Sequence, residues 1–373
     1  MARRRGLLGY YRQFEAMTDE EVSEELRKVS AERRAKALAR VEPLDLSTTT
    51  WHEFPHPDVV AAVTYAARRG INRYADPHAV ELRTEIGRRH GLEADRVVVG
   101  AGAAQLLAAA ASALLEPGDE LITPWPSYPL YPLMANRAGG RPVPVPGRDR
   151  DSIVEALSGR TRLVVICNPN DPTGAYSTAA ELDALLGELP DDVTVILDEA
   201  LVDFVEAEPA GTTLSLLDDH PRLIVVRTFS KAYGVAGIRC GYALGGPGSE
   251  PLLERLELPL GVDALAQAGG LEALRKCGPL VAARRAIVIE ERRRLLSELA
   301  DRPIDAAPSE ANLVWLSAPG IQGADLAARL DRFGVRVKRG AEFGASDHIR
   351  ATVQDRPAGD RLLRALDGAL ASE

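Results

Sequence analysis

From about residue 45 to residue 245, two rhythms of apolar and polar positions alternate along the chain. Short, mostly apolar strand-like runs, most of them rich in Val, Ile and Leu, recur at residues 96–99, 120–123, 162–167, 194–197, 223–227 and 239–244. Between them lie helical stretches, such as the alanine- and leucine-rich segment that ends near Leu115 and residues 179–189. A strand that is apolar at every position is buried on both faces. Such strands alternating with helices predict an α/β fold with a mostly parallel sheet covered on both sides. A turn, E-P-G-D at residues 116–119, separates the first helix from the second strand.

The rhythm changes after G-G-P-G at residues 245–248. Helical stretches at 252–258, 265–275 and 280–299 come first, then strand-like pieces at 312–316, 335–338 and 348–353. This α+β pattern predicts a second, smaller unit. At the other end, Thr18 and Glu21 have capping-box spacing, and Val22, Leu26 and Val29 form one stripe of a helix over 18–41. The expected division is an arm over 1–44, a large domain over 45–250 and a small domain over 251–373.

Composition narrows the function. The chain has 373 residues, 46% hydrophobic and 27% charged, with a formal net charge of −9. That suits a soluble protein with a large core and argues against a general nucleic-acid binder, which needs a basic face. The three cysteines, Cys167, Cys240 and Cys277, form no C-x-x-C pair and no metal-ligand set. They read as buried reduced thiols of a cytoplasmic protein. The basic start M-A-R-R-R has no long apolar run behind it, so it reads as neither a signal peptide nor a membrane span.

In open α/β sheets, ligands sit at the carboxyl ends of the strands. Several chemistry-bearing residues fall there. G-A-G-A-A-Q at 100–105 joins a strand to a helix start, where backbone N–H groups and the helix dipole suit a phosphate. Asp198 ends the 194–197 run. Thr228, Ser230 and Lys231 follow the 223–227 run, and Arg239 comes eight residues after the lysine. Each has an ordinary reading alone: a cap for the aspartate, a solvated lysine, a packing role for Tyr74 and Tyr128, a surface ion pair for Arg350. Together they suit a phosphorylated cofactor with a ring nitrogen and an aldehyde.

The order and spacing of the motifs resemble the class I/II (fold type I) aminotransferases, which use pyridoxal 5'-phosphate (PLP). Those motifs are N-R-Y-A-D-P (72–77), G-A-G-A-A-Q (100–105), P-W-P-S-Y-P-L-Y (124–131), N-P-N-D-P-T-G (168–174), L-D-E-A (197–200), T-F-S-K-A-Y-G-V-A-G-I-R-C-G (228–241) and H-I-R-A-T-V (348–353). The chain is most similar to the histidinol-phosphate aminotransferase branch. The resemblance implies a seven-stranded, mostly parallel sheet and a homodimer with shared active sites. It makes Lys231 the Schiff-base lysine and the carrier of the migrating proton. Thr228, Ser230, Arg239 and backbone N–H groups around Gly102, Ala103 and Ala104 would hold the phosphate. Asp198 would pair with the ring nitrogen, Tyr128 would stack on the ring, and Tyr74 would reach the phosphate of the partner subunit. Arg350 and Lys338 would hold anionic groups of the substrate. The partners implied are small-molecule amines and 2-oxo acids, with no metal.

The chain departs from the family pattern in five places. Asp171 stands where an asparagine usually donates to the ring oxygen, and Leu201 where a tyrosine does. A carboxylate donates only when protonated. The lysine imine is therefore expected to have a raised pKa and to keep its yellow band across neutral pH. Ala103 and Ala104 replace a hydroxyl and an acid. Lys338 replaces an arginine, and the loop at 47–54 reads S-T-T-T-W-H-E-F. The leading expectation is transamination between an amine donor, histidinol phosphate or an aromatic or other amino acid, and a 2-oxo acid such as 2-oxoglutarate. The alternatives are a decarboxylase or lyase on the same framework, resembling threonine-phosphate decarboxylase; a nicotinamide-dependent oxidoreductase using G-A-G-A-A-Q; and a non-catalytic cofactor-binding regulator.

Overall fold

The computed structural model of the chain describes residues 18, 20–24, 26–29, 42–209 and 211–371. The capping box at the N-terminal arm is present: Thr18 N–H donates to Glu21 Oε2 at 2.8 Å and Glu21 N–H to Thr18 Oγ1 at 3.3 Å. Residues 20–24 and 26–29 are helical, and the remainder of the expected 18–41 helix lies outside the described residues.

The first strand, β1 (Leu44–Asp45), does not join the main sheet. That sheet comprises β2 (Val97–Gly100), β3 (Glu120–Pro124), β4 (Arg141–Val145), β5 (Thr161–Cys167), β6 (Thr194–Asp198), β7 (Leu223–Thr228) and β8 (Gly241–Gly245). Its seven strands lie in the order β2-β8-β7-β6-β5-β3-β4. β8 is antiparallel to both neighbours and every other pairing is parallel. The alternation of side chains explains the apolar runs. Val195 and Leu197 of β6 pack into one core and Ile196 into the other. Leu223 and Val225 of β7 likewise face away from Ile224 and Val226. Helix Ala103–Leu114 covers the second face with Leu106, Leu107, Ala110 and Ala111.

Two sequence expectations need correction here. β4, R-P-V-P-V, gave no strand signal because of Pro142 and Pro144; it is the sheet edge, where a missing N–H facing away from β3 costs nothing. The strand expected over 239–244 begins instead at Gly241, because Arg239 adopts a left-handed conformation with φ 54°. That turn ends a short 3₁₀ segment, Ala236–Ile238, and precedes the strand.

A second sheet of four antiparallel strands contains β9 (Asp305–Ala306), β10 (Leu313–Ser317), β12 (Lys338–Arg339) and β13 (His348–Thr352), in the order β12-β13-β10-β9. The strand expected over 335–338 is two pieces. β11 (Val335–Arg336) pairs with β1 in parallel, and β12 pairs with β13. Residues 44–50 therefore run along the C-terminal sheet. Leu46 N–H donates to Arg336 O at 2.8 Å, Thr352 N–H to Leu46 O at 2.9 Å and Asn312 Nδ2 to Thr49 O at 3.1 Å. This threads Thr49 and Thr50 toward the carboxyl ends of the main sheet.

Candidate active site

The carboxyl ends of β5, β6 and β7 and the start of helix Ala103–Leu114 meet in a cavity of about 220 Å³. It is lined by Ala103, Ala104, Tyr128, Asp171, Asp198, Thr228, Ser230, Lys231 and Arg239, all expected from the sequence. Thr50, Cys167 and Leu201 also line it.

One end is built for an anion. Helix Ala103–Leu114 starts after Gly102, which has φ 81° and offers no side-chain cap. Asp149, Thr178, Asp263 and Asp355 cap other helices by accepting from first-turn N–H groups, whereas the helices starting at Val80, Leu130, Glu250, Gly278 and Gly323 have no side-chain cap either. A helix start beside a buried cavity with no capping side chain leaves donors for a ligand. The surroundings are close-packed. A Cβ on Gly102 would come within 2.4 Å of Arg239 Nη2, and one on Gly241 within 2.6 Å of Ala103 N. Arg239 Nη1 donates to Ser230 Oγ at 3.2 Å and to Ala236 O at 2.8 Å. Ser230 N–H and Thr228 Oγ1 are bonded at 3.1 Å, which folds the chain after β7 back over the cavity. The strained φ of Arg239 turns its guanidinium to this end.

At the floor sits Asp198, the last residue of β6. Tyr131 donates to its Oδ2 at 2.8 Å and its own Ala200 N–H to Oδ1 at 3.1 Å. Burial pushes its carboxyl up to about 6, with the two hydrogen bonds opposing. Lys231 donates to Thr49 Oγ1. Burial lowers the pKa of its amine, and the Asp171 carboxylate partly offsets that effect. The sequence reading missed Tyr131 and Thr49. Tyr131 lies three residues after Tyr128, and the two rings meet edge-on at 5.8 Å, a spacing that does carry a signal. Thr49 belongs to the 47–54 loop that the sequence marks as a departure from the family, but its contact with Lys231, 182 residues away, is not readable there.

The far end differs from expectation. Arg350 is 5% exposed and its Nη1 donates to both oxygens of Asp171, at 2.6 and 2.8 Å. Its Nη2 donates to Ser47 O at 2.5 Å. Arg350 is thus in an ion pair, but a buried one and not the surface pair of its ordinary reading; Asp171 lines the cavity and Arg350 lies behind it. Lys338 stands opposite Arg350 in the β12–β13 register, yet it pairs with Glu342 at 2.5 Å and does not line the cavity. Tyr74 lies outside the cavity, 89% exposed. Asn170 ties the two loops over the site together: it accepts from Ser127 Oγ at 2.7 Å and donates to Pro126 O at 3.0 Å.

These residues fit a PLP group. An uncapped helix start, two hydroxyls and a guanidinium suit a phosphate, a buried carboxylate suits a protonated ring nitrogen, and a desolvated amine lies between them. Among the described residues no cluster of three or more His, Cys, Asp or Glu is arranged to hold a metal ion.

Comparison with known proteins gives the family. Residues 42–366 match the family described as Aminotransferase class I and II. An aromatic amino acid aminotransferase of Corynebacterium efficiens is 39% identical over 83% of this chain and 89% of its own. Another, from Thermobifida fusca, is 36% identical over 76% of this chain and 79% of its own. Among solved structures, a histidinol-phosphate aminotransferase of Sinorhizobium meliloti in complex with PLP superposes with a TM-score of 0.78 at 26% identity, covering 92% of this chain and 94% of that one. A Thermus thermophilus aspartate aminotransferase double mutant gives a TM-score of 0.76 at 27% identity, covering 91% and 96%.

Proposed function

The chain belongs to the class I and II aminotransferases and is a PLP-dependent transaminase, and on that premise we propose how its residues divide the work and what its donor is. When bound, PLP supplies the electron sink that stabilises negative charge at the amine-bearing carbon. Thr228, Ser230, Arg239 and the first N–H groups of the helix at Ala103 and Ala104 would hold its phosphate. Asp198, fixed by Tyr131, would pair with the ring nitrogen and keep it protonated. Tyr128 would stack on the ring. Lys231, its amine pKa lowered by burial, would hold the cofactor and move the substrate proton.

The donor we favour is an aromatic amino acid, with histidinol phosphate second and 2-oxoglutarate as acceptor. The observation that carries this order is the pairing of Lys338 with Glu342, which takes the expected phosphate-binding cation out of the site. The names of the 39%- and 36%-identical relatives point the same way. The assay is glutamate formation from 2-oxoglutarate with phenylalanine, tyrosine or histidinol phosphate as donor. Glutamate from the aromatic donors supports the reading. Release of carbon dioxide without glutamate replaces it with a decarboxylase.

The working unit in this proposal is a homodimer. Phe54, Ile71, Tyr74 and Leu258 are exposed at 94, 75, 89 and 56%, a set of large apolar side chains for a second copy to cover. Tyr74 would then reach the partner's phosphate. The domain division at about residue 250, with 1–44 as an arm, is part of the same reading, as is a cytoplasmic location consistent with three buried, unpaired cysteines.

A further inference from the structure

Asp171 lines the cavity, and behind it Arg350, which does not line the cavity, forms a buried charge pair with it. Arg350 is the cation expected to grip a substrate carboxylate, and that grip requires two parallel N–H donors. Here both oxygens of Asp171 lie on Nη1, and Nη2 is engaged by Ser47 O. Nε is buried without a hydrogen-bond partner, and one N–H of Nη2 is left beside it. Phe343 covers one face of the guanidinium, 5.1 Å from its ring centre to the Arg350 Cζ. The positive charge of Arg350 is therefore already matched by a carboxylate belonging to the protein. The other charged or titratable groups facing Asp171 are Lys231, Asp198, Tyr128 and Cys167. A second carboxylate arriving at Arg350 meets Asp171 and, further in, Asp198.

We propose that Asp171 is an internal competitor for the carboxylate subsite: a substrate carboxylate binds Arg350 in competition with Asp171, so this residue raises KM for every carboxylate-bearing substrate of the site, the aromatic donor and the 2-oxo acid alike. The inference rests on the transaminase reading of the same cavity. An asparagine at 171 keeps an acceptor for Arg350 and removes the competing charge. Every 2-oxo acid acceptor carries a carboxylate, so the competition acts in at least one half of the reaction, and its cost appears in KM rather than in the proton-transfer step.

The test uses the PLP-loaded protein and acetate, a probe that needs only the carboxylate subsite and undergoes no transamination. Acetate binding is read from the cofactor's visible absorbance and from the thermal midpoint in wild type, Asp171→Asn, Asp171→Ser and the double variant Asp171→Asn with Arg350→Gln. The expected result is a Kd about tenfold or more tighter in both single variants, with the gain lost in the double variant. Because the prediction is a gain of binding, a misfolded variant cannot imitate it, and the serine variant stands in if the asparagine variant fails to fold. Equal Kd values in wild type and single variants, or no saturation in any of them, overturn the proposal. A paired measurement compares phenylalanine with phenylethylamine as donors. Asp171→Asn is expected to shift the kcat/KM ratio about tenfold toward phenylalanine, through KM. If neither donor is turned over by wild type, the transaminase reading fails, while the acetate result still decides the role of Asp171.

Discussion

The two ends of the cavity are built from different materials. The phosphate end is mostly backbone: an uncapped helix start after Gly102, a strained turn at Arg239 and a hydroxyl pair folded back after β7. The substrate end is made of side-chain charges: Arg350 held by Asp171, and Lys338 held by Glu342. The backbone-built helix start tolerates replacement of the side chains at 103 and 104, because Ala103 and Ala104 still present their N–H groups. A charge-built end changes its preference with each residue. This is why the cofactor follows from the family pattern, whereas substrate choice depends on how the charges pair in three dimensions.

The comparison can be broken at its centre first. Lys231→Ala should lower turnover on the order of a thousandfold or more, with any donor, while the protein stays folded; retention of more than a few per cent of turnover would remove Lys231 from the chemistry. Next comes the floor shared by both ends. Burial holds the Asp198 carboxyl up at about 6, above the ordinary aspartate value. Between those two values the folded, cofactor-free protein keeps a proton that the unfolded chain has lost, so stability falls as pH rises through the window. Asp198→Asn should gain stability over wild type as pH goes from 4 to 6 and hold the gain above it, by about 2–3 kcal/mol. Thermal denaturation of the two cofactor-free proteins across pH checks this, and a pH-independent difference would contradict it.

At the phosphate end alone, Arg239→Ala should weaken cofactor binding by about 2 kcal/mol, roughly 30-fold, from the loss of charge-assisted hydrogen bonds. PLP titration of the apoprotein measures it. Unchanged affinity would mean that the backbone donors suffice. The smallest effect concerns the ring oxygen, where Leu201 lines the cavity in place of the family's tyrosine. Wild type should keep its yellow band across neutral pH, and Leu201→Tyr should lower the pH of the spectral transition by up to about 1 unit. A wild-type transition at or below neutrality would show that the ring oxygen has another donor.

Most of the fold was legible in the sequence because both faces of the main sheet are buried, which leaves apolar runs. β4 was not, since its two prolines erase the strand signal and an edge position tolerates them. The phosphate end was legible for a related reason: its residues lie in contiguous turns at strand ends. The threonines at 49 and 50 were hidden because they reach the cavity through β1 pairing with β11, a contact between chain segments far apart in sequence. The pairing of Asp171 with Arg350 spans 179 residues, and no local pattern announces it. Tyr131 was within reach, since it follows Tyr128 by one helical turn and comes to rest on Asp198.

The most direct test of the account is the visible spectrum of the PLP-loaded enzyme through one half-reaction at a time. Phenylalanine should bleach the cofactor's band in wild type and leave it intact in Lys231→Ala, and added 2-oxoglutarate should restore the wild-type band. A band that phenylalanine, tyrosine and histidinol phosphate all leave unchanged, or one that bleaches without recovery on adding 2-oxoglutarate, would contradict transamination at this site.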